Sequence, residues 1–318
     1  MIIENSKTYN VNEVENLFFR PSFCGKSAEE LGIRVLYNMP IPTKVPSFYH
    51  NSNILREFSS GWQGEKQHQM EEVEVTLNKL KAENAYSAES YFSTIYELLT
   101  NTAEVNLGDL TGTDLEAAET ELFRRSIAES IYATMWFGDE KGELSDFTGF
   151  SGFLRRVMDV GEEGHVTIFN STTSHSATDI LSETWFEADE SLRSLASEGN
   201  LVYYVSSDIY NAYQFYLDEK GVCNMATGNE GLYYHGIPVM EVPGRHYELN
   251  LAKSFCLLTD RRNLILALNT ADSPEKEIRM WYNPDEMENR QRVVFLAGTA
   301  IADKNGISAY IWNEGVGL

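Results

Sequence analysis

Between Ile33 and Glu83 apolar and polar residues alternate with a period of two, on either side of a Gly/Ser tip. The outgoing arm sets Ile33, Val35, Tyr37, Met39 and Ile41 against Arg34, Asn38, Pro40 and Pro42. The return arm sets Val73, Val75 and Leu77 against Glu72, Glu74, Thr76 and Asn78. Such alternation predicts half-buried strands. Pro40, Pro42 and Pro46 all fall on even positions. A proline cannot donate to a ladder, so this spacing fits an edge whose N–H row points outward. After Lys79 the phase slips: Leu80 and Ala82 carry the apolar positions on the other parity. A bulge where the ribbon meets the body would produce that slip. The tip reads Ser59-Ser60-Gly61-Trp62-Gln63-Gly64. A lone two-stranded hairpin is marginal in water, so the ribbon is expected to lie on another surface, that of a neighbouring subunit. Trp62 at the tip, with Ile54, Leu55 and Phe58 on the arm leading to it, is the expected contact.

Elsewhere the period is helical. Residues 1 to about 32 read as an extended arm with a short helix near Ser27–Leu31. Ser87 to Leu99 reads as a helix. Thr113-Asp114-Leu115-Glu116 is a capping box, opening a long helix through Leu115, Ala118, Leu122, Ile127, Ile131 and Met135 that Gly138 stops. A Gly/Asp loop follows over 138–152. Ser176, with Asp179 three residues on, caps a second helix, through Leu181, Trp185, Ala188, Leu192 and Leu195 to Gly199. Leu201–Val205 reads as a buried strand, and Ser206-Ser207-Asp208 caps a third helix ending at Gly221. The last third predicts strands over Phe255–Leu258, Asn263–Leu268, Ile278–Tyr282, Val293–Ala300 and Ile307–Trp312. Helices and strands mix without a regular βαβ alternation, which makes the fold class α+β.

Composition narrows the function. The 318 residues are 42% apolar and 23% charged, an ordinary globular balance, but the net charge of −23 is not ordinary. It argues against a nucleic-acid reader, which needs a basic footprint, and against adhesion to anionic membranes. Cys24, Cys223 and Cys256 lie far apart and odd in number, so a reducing compartment is expected. No apolar run approaches the roughly 20 residues of a membrane span, and the N-terminus lacks the basic and apolar regions of a signal peptide.

Candidate chemistry is sparse. None of His50, His68, His165, His175, His235 and His246 falls in a zinc spacing. Gly149-Phe150-Ser151-Gly152 misplaces the second glycine of a nucleophile elbow and reads as a loop. Asp139, Glu140, Glu143 and Asp146 crowd one loop without the EF-hand register, so they read as a solvated acidic face. No cofactor, metal or catalytic residue is expected.

The order of these parts resembles the major capsid protein of tailed bacteriophages, the Hong Kong-phage-type fold. The ribbon resembles the family's extended loop, and Asp114–Phe137 its spine helix. Gly138-Asp139-Glu140-Lys141-Gly142 is similar to the turn that follows that helix. The run from the Gly199 helix to Gly221 resembles the axial-domain core. Leu232-Tyr233-Tyr234-His235-Gly236-Ile237-Pro238-Val239 is similar to the family's leucine followed by Gly-x-Pro-Val. The resemblance implies an N-terminal arm (1–32), an extended loop (33–83), a peripheral domain (84–172 and 290–318) and an axial domain (173–289). It implies a structural protein, not an enzyme. Copies would assemble as pentamers and hexamers into an icosahedral shell around a double-stranded DNA genome, in a host cytoplasm. The implied partners are other copies, a portal protein, a separate scaffold or none, and DNA held by weak non-specific contact. Some relatives crosslink a loop lysine to a neighbour, and Lys66 stands at the matching place. Two other readings remain open: the shell of an encapsulin-like compartment, and a cytoplasmic α+β enzyme.

Overall fold

A computed structural model of the chain describes residues 7–8, 28–37, 43–50, 68–87, 114–143, 147–221, 231–244, 252–269 and 279–317. In chain order, β1 is Lys7–Thr8, β2 Arg34–Tyr37, β3 Thr43–His50, β4 His68–Val75 and β5 Asn78–Tyr86. Then come α1 (Asp114–Phe137), α2 (Phe153–Val160), β6 (Val166–Phe169), β7 (Thr173–Ser174), α3 (Ala177–Glu187) and α4 (Glu190–Ser194). They are followed by β8 (Leu201–Ser206), α5 (Ser207–Glu219), β9 (Leu232–Tyr234) and β10 (Ile237–Val242). The chain closes with β11 (Ser254–Asp260), β12 (Leu264–Asn269), β13 (Arg279–Asn283), β14 (Glu288–Ile301), β15 (Ile307–Trp312) and β16 (Val316–Gly317).

Two six-stranded sheets carry the fold. The first runs β1-β13-β14-β12-β2. In it β5 flanks β14 from the other side, because Asn289–Arg292 pair with both β13 and β5. The second runs β6-β15-β11-β8-β10-β9. Helix α1 presents Phe123, Ile127, Ile131 and Met135 to a core that it shares with α2 and one face of each sheet. Trp136 sits there with ring centroids 5.2 Å from Tyr204 and 5.4 Å from Phe153. Helices α3 and α5 cover the second sheet's other face. In β8 both faces are buried, so the strand reads as an unbroken apolar run. Tyr204 turns to the shared core and donates to the Leu31 carbonyl (2.6 Å), while Tyr203 turns to the helix layer and donates to the Leu181 carbonyl (3.3 Å). The β9–β10 hairpin closes through His235 and Gly236, both at positive φ (49° and 83°), the geometry of a tight two-residue hairpin turn.

Several expectations hold and several are corrected. Helix α1 runs over Asp114–Phe137 and stops at Gly138 as expected, while Thr113, its expected cap, lies outside the described residues. A Cβ at Gly138 would come within 2.2 Å of the Phe150 carbonyl oxygen, so the glycine also admits the returning loop. Leu122, expected on the core stripe, is 50% exposed. The helix expected from Ser176 to Gly199 is three pieces. Ser176 does cap α3, accepting from the Asp179 N–H (3.2 Å). The helix stops at Ala188, and Asp189 caps α4 by accepting from the Ser191 N–H (2.7 Å). A 3-10 turn over Leu195–Glu198 then reaches Gly199. Residues 28–32 form a turn instead of a helix. The helix expected over Ser87–Leu99 lies outside the described residues beyond Ser87.

Two placements differ from the expected division of the chain. Ile307–Trp312, grouped with the spine helix, pairs with β11 and β6 in the second sheet. Leu264–Asn283, grouped with the axial part, contributes β12 and β13 to the first sheet. The physical reason is a crossing between β11 and β12. The short turn Arg261–Asn263 carries the chain from one sheet to the other, and Asp260 caps it by accepting from the Arg262 N–H (2.8 Å).

Candidate functional site

The ribbon is shorter than its sequence pattern. Arg34–Tyr37 does not belong to it but lies parallel to β12 in the first sheet. The ribbon proper is β3 paired antiparallel with β4, from Thr43↔Val75 to His50↔His68. Eight residues per arm give a reach of about 26 Å. Lys44 bridges to Glu72 at 2.8 Å, and that hydrogen bond raises the lysine above its ordinary pKa.

The phase slip has a different cause from a bulge. β4 ends at Val75, Thr76–Leu77 break the strand, and β5 starts at Asn78 with a new partner, β14. The odd-numbered Val45, Val73, Val75 and Leu77 pack on one face of the first sheet, against Ile265, Ala267 and Ala300. The even-numbered Leu80 and Ala82 pack on the other face, against the shared core. At Thr76–Leu77 the chain thus passes from a ribbon lying against one face of the sheet into the sheet itself as β5, whose apolar side chains turn to the opposite face, and the apolar parity changes with it.

That junction is pinned. Arg156 of α2 donates from Nε to the Thr299 hydroxyl (2.9 Å) and from Nη2 to the Thr76 hydroxyl (3.4 Å). Burial pulls its guanidinium below the ordinary pKa, against the pull of Asp159 and Glu140. Asn78 donates to the Gly149 carbonyl (3.1 Å). The Thr76 carbonyl comes so close to β14 that a Cβ at Gly298 would lie 2.1 Å from it. None of these residues stood out in the sequence. An arginine at an inward-facing position of an amphipathic helix is the signal that was there to find.

Ile54, Leu55, Phe58, Trp62 and Lys66, the expected contact residues, lie outside the described residues. The structure therefore gives the root and lower arms of the ribbon, and their reading as an interface stays with the sequence.

Asp139 is fully buried, a correction to the solvated reading of its loop. It accepts from the N–H groups of Lys141 (3.2 Å) and Glu143 (3.0 Å), holding the turn after α1. Glu140 and Glu143 are exposed, and Asp146 lies outside the described residues. Among the described residues no group of His, Cys, Asp and Glu is placed to hold a metal ion. Phe150 of the Gly149–Gly152 loop is buried, and the Gly152 N–H donates to the Gly138 carbonyl (2.8 Å). Cys256 is a buried free thiol that burial pushes up to about 12. A cleft of about 520 Å³ opens at the start of α5. There the hydroxyls of Ser206 and Ser254 both donate to the Asp208 carboxylate. Among the described residues no histidine lines it. Among the described residues no helix is long and apolar enough to cross a membrane.

No protein-family model and no curated protein matches the chain. Solved structures do match. A chain of the satellite phage P4 procapsid including size determination (Sid) protein aligns with 12% identity and a TM-score of 0.53, over 88% of this chain and 92% of that one. A Gordonia phage Cozz chain aligns with 11% identity and a TM-score of 0.56, over 93% and 89%. The capsid of the empty GTA particle aligns with 14% identity and a TM-score of 0.53, over 92% of each chain. At such identities the likeness is one of fold: the chain has the α+β fold of tailed-phage major capsid proteins.

Proposed function

We propose that this chain is a major capsid protein. Copies associate side by side into pentamers and hexamers, and these close into an icosahedral shell around a double-stranded DNA phage genome. The observation that supports this most is the whole-chain likeness to a phage procapsid chain and to a GTA capsid, which spans about nine-tenths of both partners. The ribbon adds to it. Its base is rooted by Val45, Val73 and Val75, and its tip residues Ile54, Leu55, Phe58 and Trp62 would bury themselves on the next subunit. Heterologous contacts of this kind close rings. The role is structural and needs no catalytic residue or cofactor.

The finer expectations belong to the same proposal. Assembly takes place in a host cytoplasm, with a portal protein and, where one is used, a separate scaffold. The charge of −23 keeps packaged DNA from gripping the inner wall. Lys66 is the residue available for a crosslink.

The test is negative-stain microscopy of the protein expressed alone, beside its mass by light scattering. Closed shells, or rings of five or six, are expected. A monomer that persists at high concentration and with the phage's candidate scaffold added would overturn the reading. Shells that copurify with an enzyme and no DNA would instead indicate a cargo compartment. Replacing Trp62 by Ala should lower the yield of particles while leaving the subunit's circular dichroism and melting unchanged. Normal particle yield from that variant would remove Trp62 from the interface.

A further inference from the structure

Strand β5 is an edge. It pairs with β14 along its length, and among the described residues no strand lies on its other side. Its nine residues span about 30 Å. Such an edge is a template for a further strand unless proline, a bulge or short length blunts it. Asn78–Tyr86 has no proline and runs unbroken.

What the edge carries is charge, in a particular order. Lys79, Lys81 and Glu83 are exposed, and Leu80, Ala82 and Asn84 turn partly inward. A second copy of the strand can be laid antiparallel to the first with Ala82 on the twofold axis. Lys81 of each copy then stands opposite Glu83 of the other, so the pattern is complementary to itself. Opposite charges placed directly across an antiparallel pair attract, and like charges repel. Arg292 on β14 is in register with Glu83 and contacts it at 2.8 Å. Each Glu83 would lie between an arginine of its own sheet and a lysine of the other copy.

The space beside the edge suits the same partner. A groove of about 970 Å³ separates β5 from α1, with Leu80, Ala82, Leu122, Ser126 and Ser130 among its lining. Leu122, half exposed, has no evident role within one chain. Two copies meeting at β5 would bring their grooves together and cover it.

We propose that β5 pairs with β5 of a second copy, antiparallel and centred on Ala82, to make one sheet continuous across a twofold axis. Such a contact is isologous, using the same patch twice. It is a different contact from the side-by-side ring contact, and it rests on the shell reading for its place as a seam between rings. The competing account is that the lysines only guard the edge against pairing.

Two variants separate these accounts. Lys81→Glu leaves acids at both positions, and Glu83→Lys leaves bases at both. Each variant alone sets like charges opposite each other on both sides of the axis. Each also removes the contact between Lys81 and Glu83 within one chain (2.7 Å). Mixing the two variants restores opposite charges between copies but cannot restore that internal contact. The expected result is that each variant alone associates about tenfold more weakly than the native chain and that the mixture recovers. Mass by light scattering reads this. Ala82→Cys should give a covalent dimer under mild oxidation, above the background of the native cysteines. A mixture no better than its components, with no crosslink at residue 82, would overturn the seam. Microscopy of the native chain reads the shell separately, so native shells alongside a failed mixture would sink the seam alone.

Discussion

Arg156 is where one side chain decides the direction of a larger part. It reaches Thr299 on the sheet and Thr76 at the point where the ribbon departs. Hydrogen bonds from a charged donor contribute roughly 1.5–3 kcal/mol, so Arg156→Ala should lower unfolding stability in urea by about that much. Arg156→Lys should recover only part, because one ammonium cannot imitate the guanidinium fork. Gln291 runs the opposite way. It is 1% exposed on β14, and among the described residues neither amide atom has a hydrogen-bond partner. A buried amide without partners costs about 1–3 kcal/mol. Gln291→Met, close to it in volume and beside Met280 in register, should therefore raise the urea midpoint; a lower midpoint would show that the amide is satisfied in solution. Arg156 carries a faint signal, an arginine on the inward side of an amphipathic helix, whereas no sequence pattern marks Gln291. Both are polar at positions facing inward, and their surroundings come from strands far away in the chain.

At the scale of elements, local signals were legible and distant ones were not. Helix α1, its Gly138 stop, the Ser176 cap and the five late strands follow from periodicity and capping, which act within a few residues. The interruption at Ala188 was hidden because Leu181, Trp185, Ala188, Leu192 and Leu195 keep helical spacing across it. Leu181, Ala188 and Leu192 are buried in one cluster even though the backbone breaks between them. Asp189 makes the break a second beginning, and Asp189→Ala should cost about 1 kcal/mol, the usual worth of an N-cap. Its hydrogen bonds from Ser191 hold its carboxyl below the ordinary pKa. A lowered carboxylate stabilises above its ordinary pKa and loses that effect as pH falls through the folded value. Urea melts of native and variant chains should therefore converge in acid. The parity change at Leu80 was visible in the sequence, but its cause was not. It needed β14, with Arg292 standing 209 residues from Glu83, to show that the chain enters the sheet there as a strand.

For the whole molecule, the family-like order of parts survives, while the sheets divide the chain differently from its linear reading. The second sheet takes β6 and β15 and the first takes β12 and β13, since strand pairing ignores sequence neighbourhood. The contact residues around Trp62 rest on composition at a tip, and assembly assays must judge them. The ribbon's root carries one more consequence. Its apolar anchor is a small cluster on the outer face of the first sheet, separate from the large core on the inner face. Stability in a protein is not uniform, and parts with few buried contacts open before the rest. The ribbon should thus melt by itself, leaving the body folded. In an isolated subunit, the amide protons of Thr43–His50 and His68–Val75 should exchange with deuterium well ahead of those in β12 and β14, and they should slow once subunits join. On the proposed assembly, a subunit built this way would arrive with its arm loose and have it set by the neighbour it meets. Equal exchange in arm and sheet would mean that the arm is already rigid before any neighbour arrives.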